Sequence, residues 1–321
     1  MMNERRAVRT YEYAGALMRV LFILNERAGS GQASAYELVR LLGASGAEIT
    51  ARFVADDRAI DSLVADVLTF DRVVAAGGDG TVSGVCYAMR GTGVPVLAYP
   101  GGTANLVAAN LGLPAEAGAL AQVVLDGHAS EFDIGELARA DATGGVARSG
   151  FLVMAGAGYD AQIMRVAEPL KPALGAVAYL VGAVSNLAPT PARFDVTMDG
   201  EEVSLEGIAC VIVNFARIQF DLPVTPQTDP RDGLLQVAIV KTRTPVGLLP
   251  VIAAAVMDRT GDHPDRSPAM DVFSGRTIQV TVEPPLSMQS DGDVLGETSG
   301  FTASVLPRQA TLLLPAGSPY L

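Results

Sequence analysis

One ten-residue stretch, Arg72–Thr81, most constrains what this chain can fold into, and it reads RVVAAGGDGT. Its first half is short, apolar and β-branched, as expected for a strand buried on both faces. Gly77–Thr81 follows at once, and Val82–Met89 can continue as a helix that Gly91 ends. Glycines let the backbone approach an anion closely, and a helix N-terminus adds partial positive charge. The stretch therefore predicts a phosphate site.

Asp79 lies inside this glycine turn and adds a second requirement. A carboxylate beside a phosphate is unfavourable unless a cation or a donor hydroxyl lies between them. The turn therefore predicts Mg²⁺ or a hydroxyl donor in addition to a nucleotide. A tight strand-to-helix turn that binds no ligand remains an alternative interpretation of this motif alone.

Two further glycine-bearing loops follow predicted strands of the N-terminal half. Arg19–Leu24 reads as a buried strand that ends in Asn25–Gly31, and Val94–Tyr99 reads as a strand that ends in Pro100–Asn105. These strands alternate with helical segments, which predicts a parallel sheet with helices on both faces. Ligands of such sheets bind beyond the carboxyl ends of the strands, so we expect the three loops to converge on one ligand.

The pattern changes to short alternating strands from about Glu131. Asp199–Gly200 and Asp291–Gly292 are expected to form hairpin turns between antiparallel strands. Only two convincing helices interrupt this half, Gln162–Leu187 and Pro245–Arg259. The predicted fold class is therefore α/β, with an N-terminal doubly wound parallel-sheet nucleotide-binding domain and a C-terminal mainly antiparallel β-sandwich domain. The predicted domains are residues 17–130, with a returning segment at 308–321, and residues 131–307.

The composition of the chain restricts which kinds of partner it can bind and in which cellular compartment it is expected. Hydrophobic residues make up 49% of 321 residues, and the net charge of -12 argues against nucleic acid and against electrostatic docking on anionic lipid. Cys86 and Cys210 both lie in apolar runs, which favours buried thiols and a reducing compartment. The apolar runs Ala173–Ala188 and Leu248–Met257 are too short or too interrupted to span a bilayer. We expect a cytoplasmic protein without a transmembrane segment.

Five segments along the chain resemble the motifs of one known family in the same order. They are Asn25–Gly31, Gly77–Thr81, Pro100–Asn105, Asp232–Leu234 and Ser290–Asp293. From Val20 to Pro315 the chain thereby resembles the diacylglycerol kinase catalytic-domain family, the bacterial soluble lipid kinases related to sphingosine and ceramide kinases. The second segment matches the family motif GGDGT outright, and the first carries Glu26 where proline is usual.

This resemblance implies an activity, a nucleotide and a metal. The activity is transfer of the γ-phosphoryl group of ATP to a hydroxyl of a diacylglycerol-like or sphingoid lipid presented at a membrane surface, in phospholipid biosynthesis. Mg²⁺ would neutralise charge on the phosphates during transfer. The implied nucleotide-binding residues are Asn25, Gly29, Gly31, Gly77, Gly78, Asp79, Gly80, Thr81, Gly102, Thr103 and Asn105.

The resemblance also implies catalytic or metal-binding roles for four positions of the chain. Asp293 would be the general base for the lipid hydroxyl, and Asp79 would act near Mg²⁺. Asp232 and Leu234 would hold a structural Mg²⁺ in the second domain. Without the resemblance, Asp291–Asp293 reads equally well as a hairpin turn, and Asp232 as part of a solvated turn.

The chain departs from the family pattern at several places. Ser83 and Gly84 stand where asparagine and glutamate are usual, Leu106 stands where aspartate is frequent, and Arg217–Phe220 replaces an aromatic-glycine-glycine stretch. These departures leave two alternatives open: a catalytically silent nucleotide- or lipid-binding homologue, and a kinase of a soluble hydroxyl substrate such as NAD. Exposed edges of a sandwich also allow a homodimer.

Overall fold

The computed structural model describes residues 17–25, 32–55, 60–141, 143–158, 189–215, 217–218, 222–223, 228–241 and 270–321. Gly29 and Gly31 of the first loop lie outside these ranges, as do the predicted helices Gln162–Leu187 and Pro245–Arg259. Within the described ranges, no helix has the length and hydropathy that a membrane span requires.

The described residues form five α-helices and sixteen strands. The helices are α1 Gln32–Ala44, α2 Ile60–Leu63, α3 Asp79–Ala88, α4 Leu106–Leu111 and α5 Ala117–Asp126. The first eight strands are β1 Arg19–Leu24, β2 Glu48–Phe53, β3 Arg72–Gly77, β4 Val96–Pro100, β5 His128–Ala140, β6 Val146–Phe151, β7 Met154–Gly158 and β8 Ala192–Met198. The others are β9 Glu201–Gly207, β10 Ala209–Val213, β11 Arg217–Ile218, β12 Leu222–Pro223, β13 Leu235–Val240, β14 Met270–Gly275, β15 Thr277–Ser290 and β16 Asp293–Leu314.

The N-terminal half contains the expected parallel sheet, in the order β4-β3-β1-β2. Every residue of β3 is buried, as its apolar sequence predicts. Leu24 at the end of β1 lies opposite Ala76, and Gly77 lies opposite Pro100 at the end of β4. The carboxyl ends of these three strands therefore meet at one edge, which places the loops that follow them side by side.

The second half is built from antiparallel pairs, as expected. Strands β7, β10, β13 and β14 pair in sequence, and the hairpins β5–β6 and β8–β9 branch from the main path. Both predicted hairpin turns are confirmed, because Asp199 and Gly200 have φ of 50° and 98°, and Asp291 and Gly292 have φ of 44° and 90°. Two consecutive positive φ angles are characteristic of the type I′ turn that joins tightly paired strands.

One long strand, β16, joins the two halves into a single 14-stranded sheet. It is 22 residues long and pairs antiparallel with β15 and β5. Near its end Leu312 lies opposite Val96 in a parallel pairing with β4. The strand thus begins at Asp293 in the antiparallel half and ends beside the parallel sheet. The predicted boundary at residue 130 itself stays a prediction.

Three buried apolar clusters support this sheet. One lies between β1, β3 and the helices α1 and α5, and a second lies within the antiparallel half. The third contains side chains from both halves, including Val85 of α3, Val107 of α4, Val213 of β10 and Leu312 of β16. Burying apolar area between the halves holds their relative position. Cys86 and Cys210 are buried thiols and are not joined in a disulfide, as predicted.

The junction formed by β16 yields a stability prediction. Leu312 is fully buried where β16 meets β4, so Leu312→Ala is expected to lower the free energy of unfolding by about 2–5 kcal/mol. Urea denaturation measures this change. Leu68→Ala is the matched control, because Leu68 is 74% exposed and its loss is expected to cost less than about 0.5 kcal/mol. Equal effects of the two substitutions would contradict the role assigned to this junction.

Candidate functional site

The first residue of the first loop, Asn25, forms hydrogen bonds with β3 and with the second loop. Asn25 directly follows β1, and its backbone N–H donates to the carbonyl of Ala76 at 2.9 Å. Its side-chain Nδ2 donates to Oγ1 of Thr81 at 2.9 Å. Two residues that the resemblance assigns to nucleotide binding are therefore joined to each other, and this bond orients the Thr81 hydroxyl at the start of α3.

The second and third loops touch through their backbones. The N–H of Gly101 donates to the carbonyl of Gly77 at 3.2 Å. A Cβ placed on Gly102 would lie 2.5 Å from the Cα of Gly78, closer than side chains allow. Glycine is therefore required at this crossing to let the two loops meet, whether or not a ligand is bound.

Asn105 shapes the third loop from within. Its backbone is left-handed, with φ of 51° and ψ of 44°, a conformation that asparagine tolerates better than most residues. Its Oδ1 accepts the N–H of Gly102 at 2.7 Å, and its Nδ2 donates to the carbonyl of Gly102 at 3.0 Å. Thr103, between these partners, is exposed at the loop surface, where its hydroxyl can reach a ligand.

Asp79 links the second loop to the helix that follows the third. Its side chain is 7% exposed, and Oδ1 accepts the N–H of Val107 in the first turn of α4 at 2.8 Å. Burial raises the pKa of Asp79, while the backbone N–H groups of Val107, Leu106 and Asn105 act to lower it. Leu106, which stands where the family often has aspartate, thus contributes a backbone N–H to this carboxylate.

The predicted Mg²⁺ site at the second loop can be compared with this geometry. Among the residues that the structure describes, no group of three or more His, Cys, Asp or Glu side chains forms a ready metal site. Mg²⁺ at a phosphate needs only one or two carboxylates, because phosphate oxygens and water complete its six ligands. The glycine turn supplies one such carboxylate, Asp79, so this donor set fits Mg²⁺ that enters with a nucleotide.

Asp293 comes from the other half of the chain and lies against the second loop. A Cβ placed on Gly80 would overlap the Asp293 carboxylate, so only glycine leaves room for this contact. Asp293 is the first residue of β16 and is exposed. The structure therefore brings the predicted base next to the glycine turn, at the edge where the three loops meet.

Asp291 is a buried carboxylate that the sequence reasoning did not single out. Its side chain accepts the backbone N–H groups of Leu152, Val153 and Met154 at 2.8, 3.0 and 2.8 Å, together with the hydroxyl of Ser83. Burial raises the pKa of Asp291 to about 7, against the lowering effect of these hydrogen bonds. The sequence signals at Asp291 were the hairpin turn and the motif segment Ser290–Asp293, and neither says where the side chain points.

The predicted structural metal site lies in the turn directly before β13. Oδ1 of Asp232 accepts the N–H of Leu234 at 2.8 Å, and Oδ2 of the buried Asp133 accepts the N–H of Gly233 at 2.7 Å. Burial raises the pKa of Asp232, and the charges of Asp133 and Asp229 raise it further. A cation would relieve this repulsion, so the local charge fits the expected Mg²⁺, which stays a prediction.

Comparison with known proteins gives two family matches and several relatives. Residues 19–137 match the model of the diacylglycerol kinase catalytic domain. Residues 153–314 match a model described as the YegS C-terminal NAD kinase β-sandwich-like domain. A probable lipid kinase YegS-like of Klebsiella pneumoniae is 28% identical over 94% of this chain and 97% of its own length. A diacylglycerol kinase of Mycobacterium tuberculosis is 28% identical over 70% of each chain.

Of the other matches, one covers only part of a longer relative, and two are solved structures that show the fold alone. An uncharacterized protein of Synechocystis is 28% identical over 76% of this chain, which spans 54% of that longer protein. A diacylglycerol kinase structure from Bacillus anthracis superposes with a TM-score of 0.65 at 18% identity, covering 93% of this chain and 97% of that one. Yeast NADH kinase in complex with NADH gives a TM-score of 0.54 at 11% identity, covering 95% and 85%. Both structural matches share the fold described above.

The crossing of the second and third loops can be tested by adding one methyl group. Gly102→Ala forces the backbones of Gly102 and Gly78 apart and is expected to lower the free energy of unfolding by about 1–3 kcal/mol, measured in urea. Gly118→Ala in α5 is the control: its Cβ meets nothing within 4 Å, so stability should rise by about 0.4–1 kcal/mol. A Gly102→Ala protein as stable as Gly118→Ala would contradict the crossing.

The raised pKa of Asp291 predicts a pH dependence of stability. In the unfolded chain this carboxyl ionises near its ordinary pKa of 3.8, whereas in the folded protein it keeps its proton up to about pH 7. Its contribution to stability is therefore complete below about pH 4 and is lost as the pH rises to about 7. The stability of wild type relative to Asp291→Asn should fall over this range, by up to about 1.4 kcal/mol per pH unit.

Asp141 supplies a control of opposite sign for this measurement. The hydroxyl of Thr143 lowers the pKa of Asp141, with backbone N–H groups of Thr143 and Gly145 contributing. The contribution of Asp141 to the free energy of unfolding is therefore present above the ordinary pKa of this carboxyl. It is lost as the pH falls below that ordinary pKa. Urea denaturation of wild type, Asp291→Asn and Asp141→Asn between pH 3 and pH 8 should separate the two effects. A pH-independent difference between wild type and Asp291→Asn would contradict the assigned pKa.

Proposed function

The chain belongs to the diacylglycerol kinase catalytic-domain family and is a kinase, and we propose that it transfers the γ-phosphoryl group of ATP to a hydroxyl of a diacylglycerol-like or sphingoid lipid. The observation that carries this proposal is the contact of the Asp293 carboxylate with Gly80. It is the point where an acid from the antiparallel half meets the phosphate-type turn of the parallel half. A phosphoryl donor and an acceptor hydroxyl must meet at such a point.

ATP would bind along the edge where the three loops meet. The Gly77–Thr81 turn and the N-terminus of α3 lie at this edge, and their backbone N–H groups would hold the phosphates. The exposed hydroxyl of Thr103 lies on the neighbouring loop, while Asn25 and Asn105 hold Thr81 and Gly102 in place. Mg²⁺ bound with ATP would neutralise phosphate charge. Asp79 keeps the second loop attached to α4, so the phosphate contacts are preorganised.

Asp293 would act as the general base. An exposed carboxylate at the edge where the three loops meet can accept a hydrogen bond from an incoming alcohol. It can thereby orient the alcohol oxygen toward the phosphoryl group. A carboxylate is a weak base for an alcohol, so the proton moves late, when the bond to phosphorus is largely formed. Positioning of the hydroxyl is then the larger part of the catalytic effect.

The two residues that follow Asp293 are apolar: Val294 is 45% exposed, and Leu295 is half-buried against the second core. The proposal of a lipid acceptor is supported by the lipid kinase and the diacylglycerol kinase among the relatives. The buried thiols Cys86 and Cys210, neither of which is in a disulfide, agree with a reducing compartment, and we propose that the enzyme acts in the cytoplasm on lipid at a membrane surface.

Two departures from the family pattern do not argue against activity. A Cβ on Gly84 would lie 2.8 Å from Cδ1 of Ile60, so a larger side chain at this position would press against α2. Glycine therefore suits the packing of α3 against α2 in this protein. Leu106 takes part through its backbone N–H to Asp79, which does not depend on its side chain. These contacts favour a working kinase over a silent homologue.

Replacing the proposed base tests this function directly. Asp293→Asn is expected to lower lipid-dependent ATP turnover by about 100-fold or more, because the amide cannot accept the proton of the hydroxyl. Nucleotide affinity, measured by calorimetry with a non-hydrolysable ATP analogue and Mg²⁺, should stay within about 2-fold of wild type. Glu297→Gln is the control, since Glu297 is an exposed acid four residues further along β16, and its turnover should not change.

A panel of acceptor substrates distinguishes a lipid kinase from a kinase of a soluble substrate and from a silent homologue. Diacylglycerol, a sphingoid base and NAD are offered with ATP and Mg²⁺ to wild type. Phosphorylation of NAD alone would indicate a soluble acceptor, and nucleotide binding without turnover of any acceptor would indicate a silent homologue. Unchanged lipid turnover in Asp293→Asn would show that Asp293 is not the base.

A further inference from the structure

One buried hydroxyl near the site has no part in the proposed chemistry. Ser83 lies in the second turn of α3 and is 1% exposed. Its hydroxyl donates to Oδ2 of Asp291, and its Oγ accepts the N–H of Leu152 at 3.2 Å. A helical serine commonly donates to the carbonyl one turn earlier. The single hydroxyl hydrogen of Ser83 instead crosses to a residue 208 positions away in the chain.

The acceptor of this bond is itself fixed at the corner of a hairpin. The carboxylate of Asp291 accepts three backbone N–H groups from Leu152–Met154, and its own N–H donates to the carbonyl of Met154 at 2.8 Å. Asp291 and Gly292 are the two corner residues of the β15–β16 turn. The side chain of Asp291 therefore anchors this turn to the segment that joins β6 to β7.

The same hairpin and the same helix meet at a second point. Asp293 follows the corner by two residues and contacts Gly80, which precedes Ser83 by three residues, or about one turn of α3. The contacts Ser83–Asp291 and Gly80–Asp293 thus join one helix to one hairpin at two neighbouring places. Because the Asp293 side chain is exposed, the buried Ser83–Asp291 contact is the one of these two that can hold the hairpin on α3.

We propose that Ser83 is a positioning residue, whose hydroxyl holds the Asp291 corner on α3 and so places the Asp293 carboxylate against the glycine turn. This inference rests on the proposed function for its effect on catalysis. Ser83 touches neither ATP nor the acceptor and acts through Asp291. Loss of the hydroxyl would leave the phosphate loops intact while the base moves relative to them, so kcat should change more than KM for ATP.

A matched pair of substitutions isolates the hydroxyl. Ser83→Thr and Ser83→Val have nearly the same shape and differ mainly by one hydroxyl, and Ser83→Ala removes the group without adding volume. We expect kcat to fall about 10-fold in Ser83→Val and Ser83→Ala relative to Ser83→Thr, with KM for ATP within about 2-fold. Val196→Ala, in the buried part of β8, controls for a general loss of stability and should keep the wild-type kcat.

Hydrogen exchange tests the contact without requiring turnover. The amides of Leu152, Val153 and Met154 should exchange at least about 10-fold faster in Ser83→Val and Ser83→Ala than in Ser83→Thr, with no such change in Val196→Ala. Equal exchange with and without the hydroxyl would overturn the proposal, as would equal kcat values. A wild type that phosphorylates no lipid would overturn the proposed function, whereas the exchange rates would still decide whether Ser83 holds the corner. If Ser83→Val does not fold, the exchange rates and kcat of Ser83→Ala are compared with those of Val196→Ala, and the same outcomes decide the proposal.

Discussion

The site depends on the crossing of two loops that follow neighbouring parallel strands. Gly77–Gly78 and Gly101–Gly102 approach so closely that a methyl group between them would collide with backbone. Asp79 holds the two loops together at this crossing, because its buried carboxylate accepts backbone N–H groups at the start of α4. One acid thus determines how the second loop and α4 are arranged. Glycines usually explained by a ligand are required here by the protein itself.

The long strand β16 adds the second half of the site to this arrangement. It begins with Asp293 beside Gly80 and ends with Leu312 beside β4, so the proposed base and the parallel sheet belong to one continuous strand. A strand paired on both sides resists bending, and the cluster that holds Leu312 contains side chains from both halves. The distance between base and phosphate loops is therefore set by sheet pairing and by core packing.

Local patterns predicted the elements well, because burial and turn geometry act over a few residues. The apolar run before Gly77 gave a buried strand, and Asp199–Gly200 and Asp291–Gly292 gave tight turns, as the positive φ angles confirm. The partners of polar side chains were a different matter. Asp79 was expected beside a metal, yet its carboxylate accepts the N–H of Val107 in α4, and its role near Mg²⁺ stays a prediction. A carboxylate is satisfied by whichever N–H groups the fold delivers, and spacing along the chain does not encode them.

The amino-acid sequence by itself indicated a parallel half and an antiparallel half. These follow from side-chain periodicity and from glycine conformations, which are properties of neighbouring residues. The family was indicated by the resemblance of five short segments to known motifs. Only the tertiary structure decided that Ser83 and Asp291 share a buried hydrogen bond and that Asp293 lies against Gly80. Those pairs lie more than two hundred residues apart, and their contact exists only because β16 carries the hairpin back to the parallel sheet.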